Sequence, residues 1–439
     1  MVEMTLDLIK RSKAEGLVYR YIERNRAVSS TMEGPERILE RARDGLGIVV
    51  IKDGRKAVVS LANPSEEDIK NGVEKALDLA KFMEPDDGNV VSDEKDYEEI
   101  PGLYDESVEK VDLADLKEMS LSMVDEARKF DERVKFVRSA SVGISVVEEI
   151  VGTTKGVLKR VKFSEASASI MCSAVDQSGG SMGYKMKGGR NLKELSPLEV
   201  ARLAAKSAVE GLGAEVEKTG IYDIVFDPDA IAMIFFYAYI PFSGENIYKR
   251  ASFLKPEDIG KKLFSENLTL MNDPRDPEKL GSIPFDSEGT NTRKFAIVEN
   301  GVLKSFLHNL YSARKLNMKP TGNAFVRSFK SSPGISPVNL HLVANSKKEE
   351  IISSVDKGIY VENVMGVHTS DPVSGRFSIQ ISGKLIENGE FVKPIRGMAL
   401  SGTLSELLSA VEMVADDYNH YGPVSGSTVL VRGMSVGGK

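Results

Sequence analysis

Near residue 217 the chain changes character, and that break limits the folds open to it more than any other feature. Before it, stretches with helical periodicity mix with β-branched runs; after it, short apolar runs are punctuated by glycine almost to the C-terminus. The pattern predicts an α+β protein of two domains. Residues 1–217 form a mixed domain of helices and antiparallel sheet, and residues 218–439 a strand-rich, antiparallel, barrel-like one. A length of 439 residues is consistent with two cores rather than one.

Local signals fill in the first half. Apolar spacing predicts a helix over Met4 to Ala14, stopped at Gly16. Two β-branched runs, Gly47 to Ile51 and Lys56 to Leu61, flank Asp53-Gly54, a pair that favours a hairpin. Asn63-Pro64-Ser65 then opens a helix running to Met83, and Glu84 to Leu103 reads as an exposed connection. Asp112 to Phe130 returns to helical spacing. Val134 to Ile170 alternates in short runs, predicting several antiparallel strands, and Ser196-Pro197 starts a helix that ends at Gly211. Past the break, Gly220 to Phe226 reads as a strand and Asp229 to Phe242 as one buried helix.

Composition excludes several classes. No apolar run approaches the roughly 18 to 20 residues of a membrane span; Ile231 to Phe242 is the longest candidate and is interrupted by tyrosines. The acidic start and the single cysteine, Cys172, assign the chain to the cytoplasm, with no internal disulfide. A net charge of −7 argues against a nucleic-acid surface. Membrane and nucleic acid are therefore not expected partners.

The search for chemistry returns little. The four histidines, His308, His341, His368 and His420, are too far apart for any two to share a helical turn, so no local zinc motif exists and each reads as structural. Cys172 sits in an alternating strand-like run and reads as a small buried hydrophobe. Gly179 to Gly183 and Gly188 to Arg190 lack the features of phosphate-binding loops and read as hairpin loops. Ser374 lacks the surroundings of a serine nucleophile. The acid pairs Asp273 with Asp276 and Asp286 with Glu288 are able to act as acid and base or to hold a divalent cation, but their Pro and Gly neighbours fit solvated turns.

A series of polar turns in the second half is more distinctive. It runs through Ser243-Gly244-Glu245-Asn246, Asn272-Asp273-Pro274, Gly281 to Thr290, Glu299 to Lys304, Phe306-Leu307-His308-Asn309-Leu310, Ala313-Arg314 and Thr321-Gly322-Asn323-Ala324. It continues with Gly358 to Val361, Ser374-Gly375-Arg376-Phe377-Ser378, Ile386 to Gly389 and Ser435 to Gly438. In type and order these segments resemble the TldD/PmbA family of peptidase subunits, closely over residues 217 to 439 and in general layout before that.

The resemblance implies a two-subunit metallopeptidase whose TldD-type chain carries zinc on an H-E-x-x-x-H helix with a later cysteine. This chain departs from that pattern. Phe236, Tyr237 and Pro241 stand at the motif positions, and no cysteine occurs in the second half. That combination looks like the PmbA, or TldE, branch: no catalytic residue and no cofactor of its own, zinc only in a TldD-like partner, and an extended peptide as substrate. The polar turn residues Glu245, Asn246, Arg314, Thr321 and Asn323 are the expected peptide-channel or interface residues. The aromatic helix is expected to fill the former metal cavity, and the isolated chain to form a homodimer with an interface above about 800 Å². Two alternatives come from other classes: a regulatory binding protein of the gyrase-modulator kind, and a self-sufficient hydrolase.

Overall fold

The computed structural model describes residues 1–326 and 329–439. Two large sheets organise an α+β fold. The first contains β1 (Glu15–Thr31), β2 (Gly34–Lys52), β3 (Arg55–Ala62), β4 (Val134–Thr153), β5 (Leu158–Asp176) and β6 (Gly179–Gly189), in the order β3-β2-β1-β4-β5-β6. All of its pairings are antiparallel, and the sheet curls into a half-barrel. Asp53 and Gly54 both have positive φ, 51° and 74°, which matches a two-residue turn to the right-handed twist of β2 and β3.

Side chains alternate along a strand, so Val18 and Val28, ten positions apart, lie on one face. Helices cover that face in two pairs. Helices α1 (Val2–Arg11) and α2 (Glu66–Ala80) bury Ile9, Ile69 and Val73 against Val18, Ile48 and Val50. At the other end, α3 (Leu113–Phe130) and α4 (Pro197–Glu210) bury Leu116, Met123, Ala201 and Ala205 against Val28, Val142 and Ala168. Each fully buried aliphatic side chain contributes about 2 kcal/mol to this attachment. The opposite, concave face is covered at one end only, where Leu17, Tyr19 and Val151 pack with Val91, Ile100 and Leu103 and with Ile283 and Phe285 from the second half.

The second sheet closes on itself. Strands β7 (Gly220–Phe226), β8 (Lys357–Met365), β9 (Arg376–Glu387), β10 (Glu390–Thr403) and β12 (Val429–Gly437) run in the ring order β10-β9-β8-β7-β12, and β10 pairs back to β12. A further strand, β11 (Val411–Val414), pairs with β12 outside the ring. Only β7 and β8 are parallel. Helix α5 (Pro228–Ala238) shares the core of this barrel through Ile231, Ile234 and Phe235.

Several expectations from sequence need correction. The first helix spans Val2–Arg11 rather than Met4 to Ala14. Residues 134–176 form two strands of 20 and 19 residues rather than several short ones, and β1 has no counterpart in the sequence reading. The region from Glu84 to Leu103 is irregular but not simply exposed, because Val91, Ile100 and Leu103 plug the concave face. Only Gly179 and Gly180 sit at the end of a hairpin; the remaining glycines up to Gly189 lie within β6, where a Cβ on Gly183 would run into the Ala204 carbonyl of α4. Finally, the helix predicted from Asp229 to Phe242 ends at Ala238 and gives way to a 3₁₀ turn over Ile240–Phe242. Pro241, which has no N–H to donate to a helical ladder, sits inside that turn, and the burial of Phe242 holds the chain there.

Candidate functional site

The N-terminus of α5 is fixed by Asp227, whose Oδ1 accepts from Asp229 N at 3.0 Å, and by Pro228 in the first turn. Its C-terminal end carries the three positions that the resemblance singled out. Phe236 is half-buried, Tyr237 is 37% exposed and Pro241 is buried. Tyr237 and Pro241 line an apolar groove of about 260 Å³, completed by Ile234, Val367, Phe377 and Leu407. Phe235 and Phe242 turn into the barrel core, while Tyr237 stays at the groove. A benzene ring, a phenol and a pyrrolidine are not a donor set for zinc. Among the described residues no three His, Cys, Asp or Glu side chains are placed to share a metal ion.

The histidines are accounted for singly. His308 Nδ1 lies 3.1 Å from Ser312 Oγ, His341 Nδ1 lies 2.8 Å from the Asn339 carbonyl, and His420 Nδ1 lies 2.7 Å from Ser425 Oγ. Burial pushes both His308 and His341 down to about 4, so each is a neutral ring at pH 7. His368 stands at the apolar groove. Cys172 is fully buried and desolvation raises its thiol to about 11, which makes it unreactive at neutral pH.

The polar turns converge beside α5. Pro241 and Phe242 lead into Ser243 and the short helix α6 (Gly244–Tyr248), which packs on α7 (Leu310–Lys315). Gly244 is required there, since a Cβ would collide with His308. Glu245 Oε1 accepts from Asn309 Nδ2 at 2.7 Å, and Asn309 Oδ1 caps α7 by accepting from Ser312 N at 2.8 Å. Thr321 Oγ1 accepts from His308 N at 2.7 Å and contacts Asn323 Oδ1, also at 2.7 Å. Asn323 Nδ2 then donates to Asn272 Oδ1 and to the Ser336 carbonyl. Thus Glu245, Thr321 and Asn323 belong to one framework around His308 and Asn309. Asn246 serves the α5 break instead, donating to the Ile240 carbonyl at 2.9 Å. Arg314 leaves the cluster, is exposed, and donates to the Asp87 carbonyl at 2.6 Å.

Two acids of this framework were expected to be solvated and are not. Asp286 is 1% exposed and Glu288 6%. Asp286 accepts from the backbone N–H groups of Glu288, Thr290 and Ala324, and Glu288 accepts from Leu310 N. Burial and the neighbouring Glu288 push the Asp286 carboxyl well above its ordinary range, and the three N–H donors oppose that shift. Asp273 is likewise buried, next to Lys279 and Lys294. Beneath the loop Lys159, 1% exposed, donates to the Gly289 carbonyl at 2.8 Å and to Asn291 Oδ1 at 2.5 Å. Their sequence context gave no sign of burial, because long-range packing of the first sheet against residues 283–291 creates it.

Comparison with known proteins agrees with the architecture. The family described as "PmbA/TldA metallopeptidase C-terminal domain" matches residues 219–438, and "PmbA/TldA metallopeptidase central domain" matches residues 106–212. The chain is 29% identical over 419 residues to a metalloprotease PmbA homolog of Haemophilus influenzae, covering 94% of this chain and 90% of the relative. A crystal structure from Thermotoga maritima, described as that of a modulator of a DNA gyrase, superposes with a TM-score of 0.90 at 27% identity, covering 99% of this chain and 98% of that one. TldE from Thermococcus kodakarensis shares the fold, with a TM-score of 0.89 at 23% identity over 100% of this chain and 99% of that one.

Proposed function

The chain belongs to the PmbA/TldA metallopeptidase family, and from that membership we propose that it is the non-catalytic, peptide-holding subunit of a two-chain enzyme. One observation carries the reading: Tyr237 and Pro241, where the resemblance puts the motif's glutamate and second histidine, line an apolar groove. A TldD-like partner would supply the metal, which polarises a scissile carbonyl and activates water. This chain's share is then geometric. Long strands with open faces suit an extended, unfolded peptide recognised through its backbone, which tolerates varied side chains.

The same reading places the complex in the cytoplasm and gives the isolated chain a homodimeric state. No helix among the described residues is long and apolar enough to cross a membrane, which is compatible with that location. Co-expression with a TldD-like chain tests the central claim. Peptide cleavage and zinc should both require the partner, the complex should copurify, and each subunit alone should be inactive. The gyrase-modulator description of the Thermotoga relative supports a second reading, as a regulatory binding protein. Full cleavage by the TldD-like chain without this one would favour that second reading.

A further inference from the structure

We infer that the open part of the concave face of the first sheet holds the basic side chain of an extended peptide between Glu149 and Glu165. The inference rests on the peptide-holding reading above and names the side chain that such a peptide presents. Three rows of residues, each running straight across β1, β4 and β5, build the site. In one row Tyr21 stands opposite Glu149; in the next Glu23 stands opposite Val147, and Val147 opposite Phe163; in the third Asn25 stands opposite Ser145, and Ser145 opposite Glu165. The residues taken from each strand are two apart, so all share one face.

Among the described residues the two outer acids have no direct partner, and Arg190 acts on Glu165 only through its charge. Among the described residues neither Glu149 nor Glu165 makes an ion pair or a hydrogen bond, whereas Glu23 is paired with Arg43 at 3.3 Å. Arg41 stands on β2 opposite Asn25. Arg190, whose charge lowers the Glu165 carboxyl, donates from its two terminal nitrogens to the carbonyls of Ser164 and Lys279 and leaves Nε without a partner among the described residues. A concave wall surrounds a group with protein without shutting out water. That is why Glu165 is solvent-exposed and Glu149 half-buried, although desolvation raises both carboxyls, Glu149 to about 7.

A second, independent observation points to a ligand. Ser145 is only 8% exposed and its Oγ has no partner, and the buried Oδ1 of Asn25 opposite it also has none. Buried polar atoms in native proteins are almost always satisfied, so adjacent orphans on one face mark a place where something else binds. Two carboxylates and the Asn25 carbonyl oxygen only accept, and the Ser145 hydroxyl accepts as well as donates, so a donor satisfies the set and the two carboxylates favour a cationic one, an ammonium or a guanidinium. Val147 and Phe163 lie between the acids; Val147 is buried, and the half-buried Phe163 ring gives apolar surface for the methylene stem that precedes such a charge.

Calorimetric titration of the chain alone with the end-blocked peptide Ala-Ala-Lys-Ala-Ala tests the site against the same peptide with norleucine or glutamate at its centre. The lysine peptide should bind at least about tenfold more tightly than either control, equivalent to about 1.4 kcal/mol. Glu149→Gln with Glu165→Gln should bring it to the norleucine level, and Ser145→Ala should weaken it less. Should the double variant fail to fold, Glu165→Gln alone, at an exposed position, decides the point. Equal binding of lysine and norleucine peptides, no binding of any of them, or a lysine preference that survives the substitutions overturns the proposal. Because no partner is present in the titration, failed cleavage by a reconstituted complex would sink the subunit reading without touching this result.

Discussion

Nδ2 of Asn309 donates to Oε1 of Glu245 at 2.7 Å while Oδ1 of the same side chain caps α7. One amide therefore joins the turn after α5 to the start of α7, two segments 64 residues apart.

Asn309→Ala removes both contacts. Losing a helix cap costs about 1 kcal/mol, and losing a hydrogen bond to a carboxylate costs about as much again or more. Lys249 still neutralises Glu245, at 2.9 Å, which keeps the second loss small. Urea unfolding should show a destabilisation of about 2 kcal/mol; a change within error would mean that α6 and α7 are held by packing alone.

Gly183→Ala tests the contact between β6 and α4. The new methyl would run into the Ala204 carbonyl, which is backbone and cannot rotate away, so helix and strand must separate. Such overpacking costs about 1 to 3 kcal/mol. A thermal melt showing parental stability would mean that α4 shifts freely along the sheet.

The pH response of the buried histidines is fixed by sign. Both rings fall from 6.5 to about 4 in the folded protein, so the unfolded chain binds protons first as pH drops. The stability they contribute is complete above about pH 6.5 and is lost as pH falls towards 4, at roughly 3 kcal/mol per ring. In an NMR titration the ring signals of His308 and His341 should stay at neutral-imidazole positions to about pH 5; a midpoint near 6.5 for either would place that ring in water.

Zinc content provides a further check. Elemental analysis of the purified chain after dialysis should give far less than one zinc per chain, since no three candidate donors converge among the described residues. Stoichiometric zinc lost on substituting His308 or His368 would overturn the assignment of the metal to a partner.

Much of the architecture could be read from residue patterns because it depends on local chemistry. Asp53-Gly54 dictates its turn in any context, and the Ser65 and Asp112 caps announce α2 and α3. What escaped depends on distant neighbours. β1 carries charged residues such as Arg20 and Glu23 at positions that look solvated, until Asp44 and Arg43 pair with them across the β2 register. Asp286 resembles an ordinary turn acid until the first sheet closes over it. Among the chosen site residues, Glu245, Thr321 and Asn323 come together, whereas Arg314 points away, because motif order records sequence proximity and not side-chain direction.

Pro241→Ala asks whether proline or tertiary packing ends α5. Removing the proline restores an N–H and a good helix former, and in an isolated helix the gain would approach about 3 kcal/mol. The native turn is held independently of it. Phe242 is 1% exposed, and Asn246 donates to the Ile240 carbonyl. Gly244 N donates to the Leu307 carbonyl at 2.8 Å, and Ser252 Oγ to the carbonyl of residue 241 itself, also at 2.8 Å. Extending the helix would pull Phe242 from the core, at about 2 to 3 kcal/mol, and break three hydrogen bonds of about 1 kcal/mol each. Packing therefore wins. The variant should keep the break at Ala238 and the apolar groove in its crystal structure, while stability drops by about 1 kcal/mol from a more flexible unfolded chain. A continuous helix through Phe242 would show instead that this one proline shapes the groove.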